Sequence, residues 1–167
     1  SNSVVVELLF VQYILPFVRT NLGIFLEMGG NDGIHASNTL YLQHCLGWAG
    51  VLIEPHPTRF RRLVHNRPNA MLVRSAIGLI HGTINFSSVA LPASRRIDPG
   101  ENSSAHLRSQ TVPSTPLADL LSFLGIHHLT MFSLDVEGSE LDVVRSINWS
   151  KLSVAVMIVK ESEDLDK

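Results

Sequence analysis

The sequence holds a single cysteine, Cys45, which excludes an internal disulfide and any cysteine-rich metal centre. In an expected helix this thiol reads as a small apolar filler of the core. An excess of either charge is also lacking: the net charge is −2, so the chain has no basic footprint for nucleic acid or an anionic membrane surface. Charged residues are few, 17% against 45% hydrophobic, which excludes a disordered chain and fits a globular one able to bury its own core. No apolar run reaches the ~20 residues that span a bilayer. The most apolar stretch, Val4 to Val18, is interrupted by Glu7, Gln12 and Pro16, and it lacks the basic start and small-residue cleavage site of a signal peptide. It is expected to form a helix within residues 1–22 that packs on a domain at 23–167, and with no targeting signal in view the expected location is cytoplasmic. Histidines are present, but His127 and His128 are adjacent and no HxxxH pair occurs, so no metal site is expected. A P-loop and a Ser/His/Asp constellation are absent as well.

What is present alternates. Strand-like apolar runs at Ile24–Met28, Val51–Glu54, Met71–Arg74, Met131–Asp135 and Val154–Val159 are interleaved with helical patterns at Asn38–Leu46, Thr58–Asn66, Pro116–Leu124 and Ser139–Ile147. This is the pattern of an α/β, doubly wound, mostly parallel sheet covered on both faces. Ser37-Asn38 and the pairs Pro57-Thr58 and Thr115-Pro116 suit helix N-termini. Thr83–Ser88 alternates as an extra short strand would, and from about residue 89 to 115 the sequence becomes polar and irregular, as a lid or insertion does. Trp48 and Phe60 read as packing residues, and Arg59, Arg61 and Arg62 as a solvated helix face.

The first strand runs directly into Glu27-Met-Gly-Gly-Asn-Asp-Gly33, and the second ends at Glu54. Glycines at such a turn let the backbone take positive φ and approach a ligand. Glu54 lies about 20 residues beyond Gly33, near the spacing at which an acid accepts hydrogen bonds from ribose hydroxyls in nucleotide folds. Glu27 and Asp32 beside the turn would repel a pyrophosphate and favour a cationic aminocarboxylate ligand. S-adenosylmethionine fits that description. A nicotinamide-dependent oxidoreductase is the competing enzyme class, disfavoured because Gly-Gly-Asn-Asp-Gly stands in place of G-x-G-x-x-G.

Together, Glu27-Met-Gly-Gly-Asn-Asp-Gly33, Ser37-Asn-Thr39, Gly47-Trp-Ala-Gly-Val-Leu-Ile-Glu-Pro55 and Ser133-Leu-Asp-Val-Glu-Gly-Ser-Glu-Leu141 resemble the FkbM-type methyltransferase family, including its Star-like members. The resemblance implies a class I, Rossmann-like, S-adenosylmethionine-dependent fold that methylates a hydroxyl of a small molecule or sugar. Its Star-like branch implies the alternative of a non-catalytic binding or scaffold module. The resemblance also implies a seven-stranded sheet, of which five core strands are legible here. The run Ala155-Val-Met-Ile-Val159 is then expected at an open edge, where a homodimer could form. Where the family ends this strand with an acid, Lys160 precedes Glu161.

In an open parallel sheet, ligands sit beyond the carboxyl ends of the strands. On that basis Glu27, Gly29, Asn31, Asp32, Gly33 and Ser37 are expected around the cofactor's aminocarboxylate end, Glu54 and Pro55 at its ribose, and Ser75 and Ala76 at its adenine. Asp135 and Glu137 are expected to be catalytic, as general base for the acceptor hydroxyl or as holders of a divalent cation that lowers the hydroxyl's pKa. Glu137 and Glu140 also fit a structural role, because acids favour a helix's first turn. His35 and His56 lie near the site, each readable as a proton acceptor or, in preference, as a solvated loop histidine.

Overall fold

The computed structural model describes residues 22–87 and 109–160, together with the isolated positions Gln12 and Pro16. The expected N-terminal helix therefore lies outside the described residues, apart from those positions. Each strand and helix expected between Ile24 and Val159 is present, with ends displaced by a few residues. Five parallel strands form the main sheet in the order β3-β2-β1-β7-β8. They are β1 (Ile24–Met28), β2 (Ala49–Ile53), β3 (Met71–Val73), β7 (His128–Leu134) and β8 (Ser153–Val159). From Phe25 to Met28 every residue of β1 is buried, as a central strand covered on both faces requires.

Period-two alternation divides the core between the two faces. Leu26, Met28, Val51, Ile53 and Phe132 pack with α3 (Leu117–Phe123) and α4 (Glu140–Arg145). Phe25, Leu52 and Met131 pack with Leu42 of α1 (Leu40–Leu46) and Leu63 of α2 (Pro57–Asn66). Trp48 is buried in this second cluster and Phe60 packs against it, as expected. Cys45 is exposed, contrary to the expected core filler: α1 turns Leu42 and Leu46 to the core and leaves the thiol on its outer flank.

A second, three-stranded sheet runs β4-β6-β5, from β4 (Ala76–Ile77), β5 (Gly82–Ser87) and β6 (Ser109–Thr115). The strand expected near Thr83 is thus β5. The irregular segment expected over 89–115 needs correction at its end, because Ser109–Thr115 pairs with β5 antiparallel and with β4 in parallel. Its Ser/Thr content and Pro113 hide an alternation in which Val112 and Ser114 are buried. Residues 89–108 lie outside the described residues.

Helix starts follow local chemistry. His56 caps α2 by accepting the Thr58 N–H on Nδ1 at 3.2 Å, with Pro57 in the first turn. At α1 the cap position is Thr39, without a side-chain capping bond. The expected caps, Ser37 and Asn38, instead serve Glu27.

Candidate functional site

The strand order changes direction between β1 and β7, and a crevice opens at such a switch point beyond the strands' carboxyl ends. A cavity of about 260 Å³ lies there. Of the expected site residues, Gly29, Asn31, Glu54, Pro55, Ser75, Ala76, Asp135 and Glu137 line it, whereas Glu27, Asp32, Gly33 and Ser37 do not.

Glu54 follows directly on β2 and is only 2% exposed. Its Oε2 accepts the Asn31 N–H at 2.9 Å and its Oε1 accepts the His56 N–H at 2.8 Å. Burial pushes this carboxyl above its ordinary range, opposed by those N–H groups and the positive charge of Arg59. A carboxylate has about four acceptor positions, so the two oxygens keep capacity for two further donors. Ile53, Ala76 and Ile77 supply apolar wall nearby. Ser75 Oγ lies 2.8 Å from the Ala76 carbonyl and 3.1 Å from that of Pro113, fastening this wall to β6.

Glu27 belongs to the other face of β1. It sits one residue before the strand's end and alternates with Leu26 and Met28, so it points into the α1/α2 layer and is 3% exposed. Thr39 Oγ1 donates to its Oε2 at 2.5 Å, Ser37 Oγ to the same oxygen at 2.9 Å, and the Asn38 N–H to Oε1 at 2.7 Å. Burial raises this carboxyl's pKa against the pull of those bonds and of Arg67. Arg67, which closes α2, is fully buried. Its guanidinium donates to Gln43 Oε1, the Gly33 carbonyl, Ser37 Oγ, and the carbonyl and Oγ1 of Thr39. This network fixes the loop from Gly33 to Thr39 from behind. Gly33 is needed for that packing, since a Cβ there would lie 2.6 Å from Arg67 Cγ and Leu63 Cδ1. An arginine beside a proline in a polar stretch carries no sequence signal of burial, and Arg67 was not anticipated.

Asp32 works at the cavity's edge. Its Oδ1 accepts the N–H groups of Ile34 (3.0 Å) and His35 (2.8 Å), and its Oδ2 lies 2.5 Å from His35 Nδ1. Burial alone would raise its pKa, but the bonds from the His35 ring and the two N–H groups together outweigh it and hold the carboxyl below its ordinary range. The cavity lining reaches His35 itself.

The opposite wall comes from the end of β7. Asp135 Oδ2 accepts from Lys160 Nζ at 3.0 Å, and that bond is the main cause of a raised lysine pKa. The pairing follows from the register: β7 and β8 are neighbours, and the Lys160 N–H bonds the Leu134 carbonyl at 3.0 Å. Glu140 holds the turn, accepting the N–H groups of Val136 (3.1 Å) and Gly138 (2.9 Å), the structural role expected for it. Among the described residues three non-glycine positions have left-handed backbones, Asn31 (φ 49°), Ala36 (φ 58°) and Glu137 (φ 53°), and all three line this cavity. Such strain persists where surrounding structure over-determines it, and it concentrates at ligand sites.

Arg59 and Lys160 also line the cavity, so Arg59 departs from the expected solvated face formed with the exposed Arg61 and Arg62. Lys160 directly follows β8 and Arg59 lies in the first turn of the helix after β2, the positional signals by which both could have been found. Among the described residues no cluster suited to a metal ion occurs, and no helix is long and apolar enough to cross a membrane.

Comparison with known proteins places these features. Residues 27–165 match the family model of the methyltransferase FkbM domain. Among solved structures, the chain is similar to the crystal structure of methyltransferase FkbM from Methylobacillus flagellatus KT, with a TM-score of 0.51 and 14% identity. The match covers 90% of this chain and 36% of that one, and at this identity it bears on the fold alone. No curated protein matches the chain.

Proposed function

Because the chain belongs to the FkbM methyltransferase domain family, with its Rossmann-like α/β fold, we propose that the cavity between β1 and β7 binds S-adenosylmethionine and serves methyl transfer to a hydroxyl of a small molecule or sugar. The observation that carries this reading is Glu54: a buried carboxylate on the cavity wall, with acceptor capacity left on both oxygens. A ribose diol supplies two donors for that capacity. The apolar surfaces of Ile53, Ala76 and Ile77 suit a flat base, and Gly29, Asn31 and Pro55 bring backbone close to the same ligand. Glu54, Asp135 and Glu137 line the cavity against the cations Arg59 and Lys160, a balance that favours a cationic ligand over a pyrophosphate.

When bound, this cofactor supplies an electrophilic methyl group on a sulfonium. Orientation is the chain's task, because a displacement at carbon gains most from holding its partners in line. Asp135 and Glu137 face the position an acceptor hydroxyl would take, with Asp135 held by Lys160. Glu27, Ser37 and Gly33 act from behind, by fixing the loop that carries Asn31 to Ala36. The Asp135–Lys160 pair also favours a second reading, a fold that binds the cofactor without turnover, since the ammonium neutralises the carboxylate nearest the acceptor wall.

Calorimetric titration with S-adenosylmethionine, S-adenosylhomocysteine and NAD tests the proposal. Micromolar binding of the first two and none of NAD is expected. Binding of NAD alone would overturn the cofactor class, and binding of none would overturn the site.

A further inference from the structure

Methyl transfer to a hydroxyl needs somewhere for the hydroxyl's proton to go. Asp135 is compromised as its destination, because Lys160 Nζ already donates to its Oδ2 at 3.0 Å. Glu54 carries a backbone N–H on each oxygen, and in the reading above its remaining acceptor capacity is taken by the cofactor's ribose. His35 stands differently. Its Nδ1 is 2.5 Å from Asp32 Oδ2, and the Asp32 side chain is 12% exposed while that of His35 is 82% exposed. The carboxylate is itself fixed by two N–H groups on Oδ1, and the Asp32 carbonyl accepts from Asn66 Nδ2 at 2.8 Å. An ionised acceptor on one ring nitrogen makes that nitrogen the N–H, so the lone pair resides on the other. Among the described residues Nε2 has no partner, and His35 is one of the residues lining the cavity, beside the left-handed Ala36.

We infer that His35 is the proton acceptor of the transfer and that Asp32 is its positioning residue, an inference that rests on the methyltransferase reading above. The hydroxyl oxygen's lone pair forms the new C–O bond, the methyl–sulfur bond breaks with its electron pair remaining on sulfur, and the O–H proton passes to Nε2. The imidazolium so formed is balanced by Asp32 and releases its proton to water at the open rim. Imidazole is a stronger base than a carboxylate by about two pKa units, and it needs no metal to accept the proton.

The test begins with the free protein. In long-range ¹H–¹⁵N spectra of the labelled chain, His35 is expected as the Nδ1–H tautomer, and Asp32→Asn is expected to shift it toward Nε2–H. An Nε2–H tautomer in the unsubstituted chain would overturn the dyad whether or not any cofactor binds. With S-adenosylhomocysteine bound, as calorimetry verifies independently, the His35 ring resonances should move and its modification by diethyl pyrocarbonate should slow several-fold. Tight binding that leaves both unchanged would place His35 outside the site, whereas absence of binding would count against the cofactor reading and leave the tautomer result to stand. In turnover on methyl glycosides, His35→Gln is expected to lower kcat by about 100- to 10,000-fold, the range of a general base, with S-adenosylhomocysteine affinity kept. An unchanged kcat, or a loss seen only in Glu137→Gln, would assign the proton elsewhere.

Discussion

Gly29→Ala tests how the two walls of the cavity are held together. Gly29 has φ +79°, and a Cβ built there would stand 1.9 Å from the backbone carbonyl oxygen of Asp135. Since that oxygen is main chain, relief requires β1 and β7 to separate by more than an ångström. A non-glycine residue in the left-handed region costs about 1–2 kcal/mol. Two hydrogen bonds flank the contact, Gly29 N–H to the Ile53 carbonyl at 3.1 Å and Asp135 N–H to the Met28 carbonyl at 3.2 Å. Weakening both adds about 1–2 kcal/mol. The expected destabilisation is about 2–4 kcal/mol, or a urea midpoint lower by about 1–2 M at a typical m-value. Equilibrium unfolding followed by circular dichroism measures it, alongside titration with S-adenosylhomocysteine, whose affinity should fall as Asp135 moves off the wall. A midpoint shift under about 0.3 M, with affinity unchanged, would refute the claim that this close approach sets the site's geometry.

Other substitutions separate the remaining roles. Glu54→Ala is expected to weaken S-adenosylhomocysteine binding by about 1–3 kcal/mol, and calorimetry showing no change would remove Glu54 from the site. Asp135→Asn should slow methyl transfer more than it weakens cofactor binding. It should also return the Lys160 ammonium toward its ordinary value, because the hydrogen bond that Lys160 donates to Asp135 raises it; Lys Nζ titration by NMR reads the second effect. Arg67→Met strands the Glu27 carboxylate without its buried counter-charge and should cost about 3–5 kcal/mol in unfolding experiments. Asp32 has a depressed folded pKa, so the stability it contributes is present above its ordinary value of 3.8 and lost as pH falls through the folded value. Asp32→Asn should therefore flatten the acid limb of the stability profile, and an unchanged limb would contradict the depressed carboxyl.

Much of the fold was legible because the core strands are buried on both faces and read as unbroken apolar runs: Phe25 to Met28 and Val51 to Ile53 could be little else. The site was legible wherever chain direction sufficed, since residues just past a parallel strand's end, such as Glu54 and Asp135, reach the crevice. It failed where orientation within the strand decided the outcome. Glu27 is near the same end, yet alternation sends its side chain to the opposite layer, and Gly33 lies outside the cavity lining, packed against Arg67 and Leu63. Strand β6 was hidden because a strand built from serine, threonine and proline has the composition of a loop, its identity resting on pairing with β5.

The register that sets Met28 beside Leu134 makes the cavity a joint property of positions about a hundred residues apart in the chain. During synthesis, Glu54 and the glycine turn emerge long before the strand that completes the opposite wall. Until β7 docks beside β1, the apolar flank of β1 and the polar turn are exposed together. Because such distant pairing is slow to form, the nascent segment from Phe25 to Ile53 is where assistance from chaperones would act.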